Sequence, residues 1–363
     1  MKKLLLLTGE LSAYNVPVYN EIGNVFDLTI AYYDKDKSKQ ACNFKKYKLK
    51  YTKVGPFFCI KGVRGLCRQY DVVSLTPDLH VPSFCKLPFL PRKYKTVTWS
   101  IGFRCSYYHP YVVERKHDFL DWVFLQVLNH ADANIFYMEK SKEFWKGTSL
   151  EMGKVFVAPN TTEVEPIEIM PKQKKHLLFV GTLYRGKGLD KLLTSVKDVV
   201  MKGYSNVHLT IVGDGECRKE LEDYVAENGI QENVTFTGAI FDEKVLAGHF
   251  AEALLCISPT QGGLSCPKSM GYGVPFVTRK DAITGGEIYH ITPDVNGILY
   301  ENDEDLTTII EDSCRTPEKY VKMGIAAKEY YDNHATIKHM ADGAMNAFRF
   351  ALEKSKPTLC RHS

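Results

Sequence analysis

From residue 176 onward the sequence repeats one arrangement: a short apolar run, a glycine or proline, then a stretch with helical periodicity. HLLFVG is followed by KGLDKLLTSVKDVVMKG, and VHLTIVGDG by CRKELEDYVAENG. NVTFTG leads to a short helix over 242–252, and ALLCISP to a helix after Gly263 and then VPFVT. Strands alternating with helices of this length argue for βαβ units on a parallel, doubly wound sheet. Ligands of such sheets bind outside the carboxyl ends of the strands. The glycine-rich ends Gly181, Gly213-Asp214-Gly215 and Gly238 are therefore expected to line one crevice.

The first half follows a looser version of the same pattern. KLLLLTG, FDLTIAYY, YDVVSLT, TVTWS, ADANIFYM and KVFVAPN are short, rich in strand formers and bounded by turn or charge signals. The longest helix between them is predicted over 111–130, where Val113, Phe119, Trp122, Val123, Leu125 and Leu128 give an approximate stripe. The start, MKKLLLLTGEL, imitates a secretory leader, but its leucine run breaks at Thr8-Gly9-Glu10. A leader core needs about 7–15 apolar residues, so a buried first strand is expected instead. No apolar run approaches the ~20 residues that span a bilayer.

The polar, proline-containing stretch TTEVEPIEIMPKQKK reads as a linker. It divides the chain into domains over 1–163 and 164–336, with a last helix near Ile337–Glu353 forming a third segment, 337–363. The length, 363 residues, agrees with about two domains. Ten cysteines lie at 42, 59, 67, 85, 105, 217, 256, 266, 314 and 360, with no CxxC pair and no metal-ligand spacing. They read as reduced, structural thiols of a cytoplasmic protein.

Charge divides unevenly. Lys and Arg outnumber Asp and Glu by 24 to 15 over 1–163, whereas 164–363 holds 23 against 28. The basic half carries one cluster at Lys45, Lys46, Lys48 and Lys50 and a second at Arg92, Lys93 and Lys95. A solvated face is the plain reading. The functional one is contact with an anionic membrane surface, where each cation is worth about 1 kcal/mol. No nucleic-acid motif accompanies the charge, so nucleic acid is not expected as a partner.

Four segments of the second half converge on a nucleoside diphosphate. FVGTLYRGKG puts Arg185 and Lys187 between a strand and a helix, a ready site for phosphates. IVGDGECRKELE lets backbone approach a ligand closely, and FTGAI, ending at Ile240, offers backbone groups to a base. SPTQGGLSCPKSMGYGVPFV adds a glycine pair, a helix start and a second glycine turn.

These segments resemble the retaining glycosyltransferases of family 4, which have the GT-B fold of two facing Rossmann-like domains with a nucleotide-sugar cleft between them. The resemblance is specific over roughly 176–300 and weaker before it. The family segment GRLxxxKG, which binds the donor diphosphate, matches Gly181 to Gly188, with Lys187 in place but Thr182 where arginine is usual. The family GDG turn matches at Gly213, and its FxG turn at Gly238. The signature EGxGLxxxEAMAxGxP aligns with Gly263-Leu264 and Met270, which puts Thr260 and Lys268 where two glutamates stand. A branch reading SPGNVGLTAIHS also lacks both acids. In that branch's manner, Lys268 would meet ribose or phosphate, Gln261 the sugar hydroxyls, and the backbone N–H groups of Gly263 and Leu264 the phosphate. An anionic partner is expected for Lys268, either the diphosphate or an acid such as Glu287.

On the acceptor side, the resemblance points to the loop over residues 9–17, with Gly9, Glu10 and Tyr14. The family's catalytic histidine region falls on residues 98–104, which hold no histidine. Arg104 and His109 are the nearby candidates. The expected activity is transfer of a sugar from a UDP-, GDP- or dTDP-sugar to a saccharide hydroxyl. Retention, independence of metal and any other cofactor, and a lipid-linked acceptor at the inner face of the plasma membrane are implied by the resemblance. Two rivals stay open: a GT-B nucleotide-sugar epimerase drawing on Asp281, Glu287 and His290, and an inactive GT-B binding protein.

Overall fold

The computed structural model describes residues 1–38, 40–105, 111–165 and 174–353. The chain divides into two compact units, Met1–Asn160 with Ile337–Ser363, and Thr161–Thr336.

In the first unit the strands are β1 (Lys3–Thr8), β2 (Asp27–Tyr32), β3 (Lys45–Lys48), β4 (Tyr51–Val54), β5 (Phe57–Ile60), β6 (Val72–Leu75), β7 (Lys95–Ser100), β8 (Ala133–Phe136) and β9 (Val155–Val157). All but β4 and β5 form a parallel sheet in the order β3-β2-β1-β6-β7-β8-β9. KLLLLT is the central strand β1. Leu4 to Leu7 are buried on both faces, as a covered parallel strand requires. Helices α1 (Val16–Gly23), α2 (Val63–Cys67), α3 (Pro82–Cys85), α4 (Phe119–His130) and α5 (Ser141–Phe144) lie between the strands. β4 and β5 stand apart as an antiparallel hairpin, with Val54 opposite Phe57.

The second unit runs β10 (His176–Val180), α6 (Leu189–Met201), β11 (Leu209–Val212), α7 (Arg218–Glu227), β12 (Val234–Gly238), α8 (Glu243–Glu252), β13 (Ala253–Ile257), α9 (Ser265–Gly271), β14 (Phe276–Arg279), β15 (Gly297–Tyr300), α10 (Asp303–Arg315) and α11 (Pro317–His334). Its parallel sheet has the order β12-β11-β10-β13-β14-β15. The amphipathic stripe read in KGLDKLLTSVKDVVMKG holds: Leu189, Leu192, Leu193, Val196 and Val199 of α6 are buried against β10 and β11 residues. Strand order reverses between β10 and β13 here, and between β1 and β6 in the first unit. The loops after those four strands therefore sit at the switch points, where doubly wound sheets receive ligands.

The last helix, α12 (Ile337–Glu353), returns to the first unit and packs on α1 and on β7–β9. Its inward stripe is Met340, Ala341, Ala344, Met345, Phe348 and Ala351. The alanines and Gly343 let the helix come close, since a Cβ on Gly343 would lie 2.1 Å from the Val157 carbonyl oxygen.

One expected boundary shifts. The helix predicted over 111–130 begins only at Phe119. Asp118 is its N-cap, in a capping box with Asp121, and Arg115 clamps Asp121 at 2.5 and 2.7 Å. Tyr111 and Val113 are buried without being helical, Tyr111 against the Phe103 ring at 4.7 Å. Of the predicted stripe only Val113 falls outside the helix; Phe119, Trp122, Val123, Leu125 and Leu128 lie in α4, where Phe119 and Trp122 are exposed. The structure also adds β3, β4 and β15, which the sequence pattern had not marked. Part of the expected linker, residues 166–173, lies outside the described residues. The described cysteines are all free.

Candidate active site

In the second unit the loops after β10, β11, β12 and β13 are bound to one another. Gly181 N–H donates to the Val212 carbonyl at 3.0 Å, Gly213 N–H to Gly238 at 2.9 Å, and Leu183 N–H to Asp214 at 3.0 Å. The approach is close enough that only glycine fits at Gly213, where a Cβ would stand 1.9 Å from the Gly181 carbonyl oxygen. The β10 and β13 loops are joined by side chains. Tyr184 O–H donates to Gln261 Oε1 at 2.6 Å, and Thr260 O–H donates to the Gly186 carbonyl at 2.6 Å. Gly188, at φ +66°, turns the chain into α6, and a Cβ there would strike Thr260 Cγ2 at 2.7 Å.

Lys187 lies in the middle of this assembly, in the turn before α6. A side chain on Gly181 would meet its ammonium at 3.6 Å, and the Tyr184 ring centroid is 5.7 Å away. Among the described residues no carboxylate pairs with it. Burial without a counter-charge pushes its pKa down to about 8. Gly263 and Leu264, at the entry to α9, have backbone N–H groups with no acceptor among the described residues, and the space beside Gly263 is open. An uncompensated cation and free N–H groups on adjoining loops have the chemistry that suits an anion.

The other expected donor residues fall as follows. Thr182 is exposed on the same loop. Ile240, after β12, packs against the core. Arg185 turns outward to Glu220 at 3.3 Å, both side chains being largely exposed. Such a pair is worth at most about 1 kcal/mol, so a diphosphate can displace it. Lys268 has an acidic partner, but not Glu287: its ammonium contacts both carboxylate oxygens of Glu243, at 2.6 and 2.7 Å. Glu163 is nearby, its pKa raised by burial and by Glu243 and Glu165. Glu287 instead caps its own loop, accepting from Thr284 O–H at 2.9 Å and Gly285 N–H at 2.7 Å. Asp281 is taken by Arg279 at 2.8 Å, and His290 is buried beside Tyr330. The acids and histidine that an epimerase would draw on are thus engaged elsewhere.

The first unit has its own pocket at its switch point, about 260 Å³, bounded by the loops after β1, β6 and β8 and by Trp99 of β7. Glu10, Tyr14, Ser12 and Thr76 line it. Glu10 accepts from Ser12 O–H at 2.7 Å and pairs with Lys37 at 2.8 Å, and both contacts hold its carboxyl below the usual range. Gly9 supports the loop: its carbonyl accepts from the N–H groups of Tyr33 and Asp34 at 3.1 and 2.7 Å. Two residues that sequence reading did not single out complete the wall. Ser74, fully buried, and Trp99, 8% exposed, leave the Ser74 hydroxyl and the Trp99 indole N–H without partners among the described residues. Groups of this kind are costly to bury unless a ligand satisfies them. The only sequence hint was polar residues in otherwise apolar strands.

Arg104 does not face that pocket. Its guanidinium binds Asp118 at 2.5 Å and Asp121 at 3.3 Å, which makes it part of the α4 cap. His109 lies outside the described residues.

Comparison with known proteins agrees with this geometry. Residues 174–315 match the family described as glycosyl transferases group 1. A protein described as an uncharacterized glycosyltransferase of Haemophilus influenzae is 26% identical over 197 residues, 53% of this chain and 54% of that protein. The alignments span about half the length, or less, of the curated relatives matched. Sucrose-phosphate synthase of Thermosynechococcus elongatus superposes with a TM-score of 0.74 at 15% identity, over 98% of this chain and 100% of that one. HepE of Anabaena, solved in complex with UDP, gives 0.71 at 15% identity, over 96% and 100%. The fold is GT-B, with two parallel-sheet, Rossmann-like units. The match to the group 1 family falls within the second unit.

Proposed function

We propose that the protein is a retaining, metal-independent glycosyltransferase that moves a sugar from a nucleoside diphosphate sugar to a saccharide hydroxyl. The observation that carries this reading is the half-buried, uncompensated Lys187 ammonium among the glycine-lined strand ends. In the reaction the bond between the sugar's anomeric carbon and the diphosphate oxygen breaks, and that oxygen keeps the electron pair. The acceptor oxygen bonds to the same carbon on the same face, and its proton passes to the departing phosphate. Charge grows on the leaving diphosphate, so a fixed ammonium and free N–H groups stabilise the transition state more than the ground state. Lys187, Arg185, Gly263 and Leu264 are assigned to that role. The phosphates are then neutralised without a divalent ion or other cofactor.

The pocket with Glu10, Tyr14, Ser74 and Trp99 is assigned to the acceptor, since its unsatisfied O–H and N–H groups suit sugar hydroxyls. UDP is the first base to test, because HepE was solved with it. GDP and dTDP remain in the panel. No described helix is long and apolar enough to cross a membrane. A lipid-linked saccharide of surface polysaccharide assembly, met from the cytoplasmic face, is the proposed acceptor class. The test is turnover of UDP-, GDP- and dTDP-sugars with lipid-linked saccharides in excess EDTA. One donor should release its nucleoside diphosphate at an undiminished rate, with the product anomer matching the donor's by NMR. Failure of all three nucleotides to bind would overturn the reading.

A further inference from the structure

Residues 37–70 contain ten lysines and arginines and no aspartate or glutamate. The β4–β5 hairpin lies in the middle of this stretch. Some of the charge is neutralised locally: Lys37 pairs with Glu10, Lys45 with Asp27 at 2.9 Å, and Lys46 with Asp36 at 3.2 Å. The sequence had assigned a membrane role to Lys45, Lys46, Lys48 and Lys50, and two of these are committed to acids. Lys48, Lys50, Lys53 and Lys61 have no ion pair among the described residues.

Apolar side chains alternate with the unpaired lysines in the same place. Tyr47 is 48% exposed, Tyr51 42%, Val54 59% and Phe57 45%. Val54 and Phe57 face each other across the Gly55-Pro56 turn, so the tip of the hairpin is apolar and every residue from 50 to 57 is exposed. The root of the hairpin is firmly held. Tyr51 and Phe58 pack on Tyr33 at ring distances of 5.5 and 5.3 Å, and Phe58 N–H donates to the His80 carbonyl at 2.8 Å. Tyr33 in turn bonds Gly9, at the rim of the acceptor-side pocket.

We infer that the β4–β5 hairpin is a membrane-docking element, with Val54 and Phe57 entering the headgroup region of an anionic bilayer and Lys48, Lys50 and Lys53 meeting its phosphates. An apolar tip with a polybasic collar supplies the two signals that stable peripheral binding needs. Each lysine near such a surface multiplies partition by about fivefold. A nucleic acid, whose bases stack on exposed aromatics, is the alternative outcome of the test. The inference rests on the reading of a lipid-linked acceptor and adds to it the element that would bring the pocket to the lipid.

The test is co-sedimentation of the full chain with phosphatidylcholine vesicles, with and without phosphatidylglycerol, free of any saccharide. Binding should be at least about tenfold greater with the anionic lipid and should fade in 1 M salt, where the Debye length falls to about 3 Å. V54S/F57S should lose about tenfold and K48Q/K50Q/K53Q about a hundredfold, whereas Phe57→Leu should retain binding. UDP titration of each variant checks its fold separately, so a failed hairpin and a failed enzyme reading are distinguished. Equal binding of wild type and V54S/F57S, or binding of a DNA or RNA oligonucleotide in place of vesicles, would overturn it.

Discussion

Replacing Lys187 with alanine should lower the rate of sugar transfer by about 10²–10³, the usual cost of removing one preorganised donor from a developing anion. The fold should survive, because the ammonium has no carboxylate to lose among the described residues and gives up a ring contact with Tyr184 at 5.7 Å. The same residue sets a pH dependence. Its free pKa is about 8, below the ordinary lysine value, because burial disfavours the charged form. A bound diphosphate favours the ammonium and raises that pKa again. Diphosphate binding must therefore take up protons above pH 8, and affinity should fall by up to about tenfold per pH unit there while staying level just below. In the unliganded protein the sign is the opposite: the unfolded chain holds this proton more tightly, so the residue's contribution to stability rises with pH above 8. Calorimetry in two buffers of different ionisation enthalpy measures the uptake. Lys187→Ala should abolish the slope, and a slope unchanged in the variant would remove Lys187 from the site.

The second large effect belongs to Lys268. The resembling family has glutamate at this position. In this chain it would place a carboxylate against Glu243 and near Glu163, whose pKa is already raised by burial and neighbouring acids. The Lys268 side chain is only 13% exposed. Lys268→Ala should cost at most about 1 kcal/mol, because Glu243 is 48% exposed and stays solvated, whereas Lys268→Glu sets two carboxylates together and should cost more. The swap Lys268→Glu with Glu243→Lys should recover most of that loss, a coupling that denaturant titration of the four proteins would reveal. Equal stability of the alanine and glutamate variants would rule out the electrostatic explanation. Nucleotide binding measured alongside tests the direct ribose or phosphate contact expected from the sequence.

These two lysines show what a sequence reader can and cannot reach. Most of the second sheet was legible because strands such as β13 are buried on both faces and read as unbroken apolar runs ending in a turn, whereas β15 was not marked. The glycine turns were legible because close backbone approach excludes other residues, as at Gly213. KKYK and YTKV were not legible as strands, since every residue of β3 and β4 is exposed and no period-two burial marks them. Partnerships across the fold were also out of reach. Lys268 with Glu243, Arg104 with Asp118 and Tyr184 with Gln261 each depend on loops that only the folded sheet brings together. The buried hydroxyl of Ser74 became a site feature only when its lack of a partner was visible.

Hydrogen exchange with and without a saturating nucleoside diphosphate addresses the assignment of the donor site at the residues themselves. With the cognate one of UDP, GDP and dTDP, exchange should slow over 181–188, 213–215 and 260–264, including the amides of Gly263 and Leu264. Protection confined to the first unit, or none with any of the three at millimolar concentration, would contradict a donor site built on Lys187.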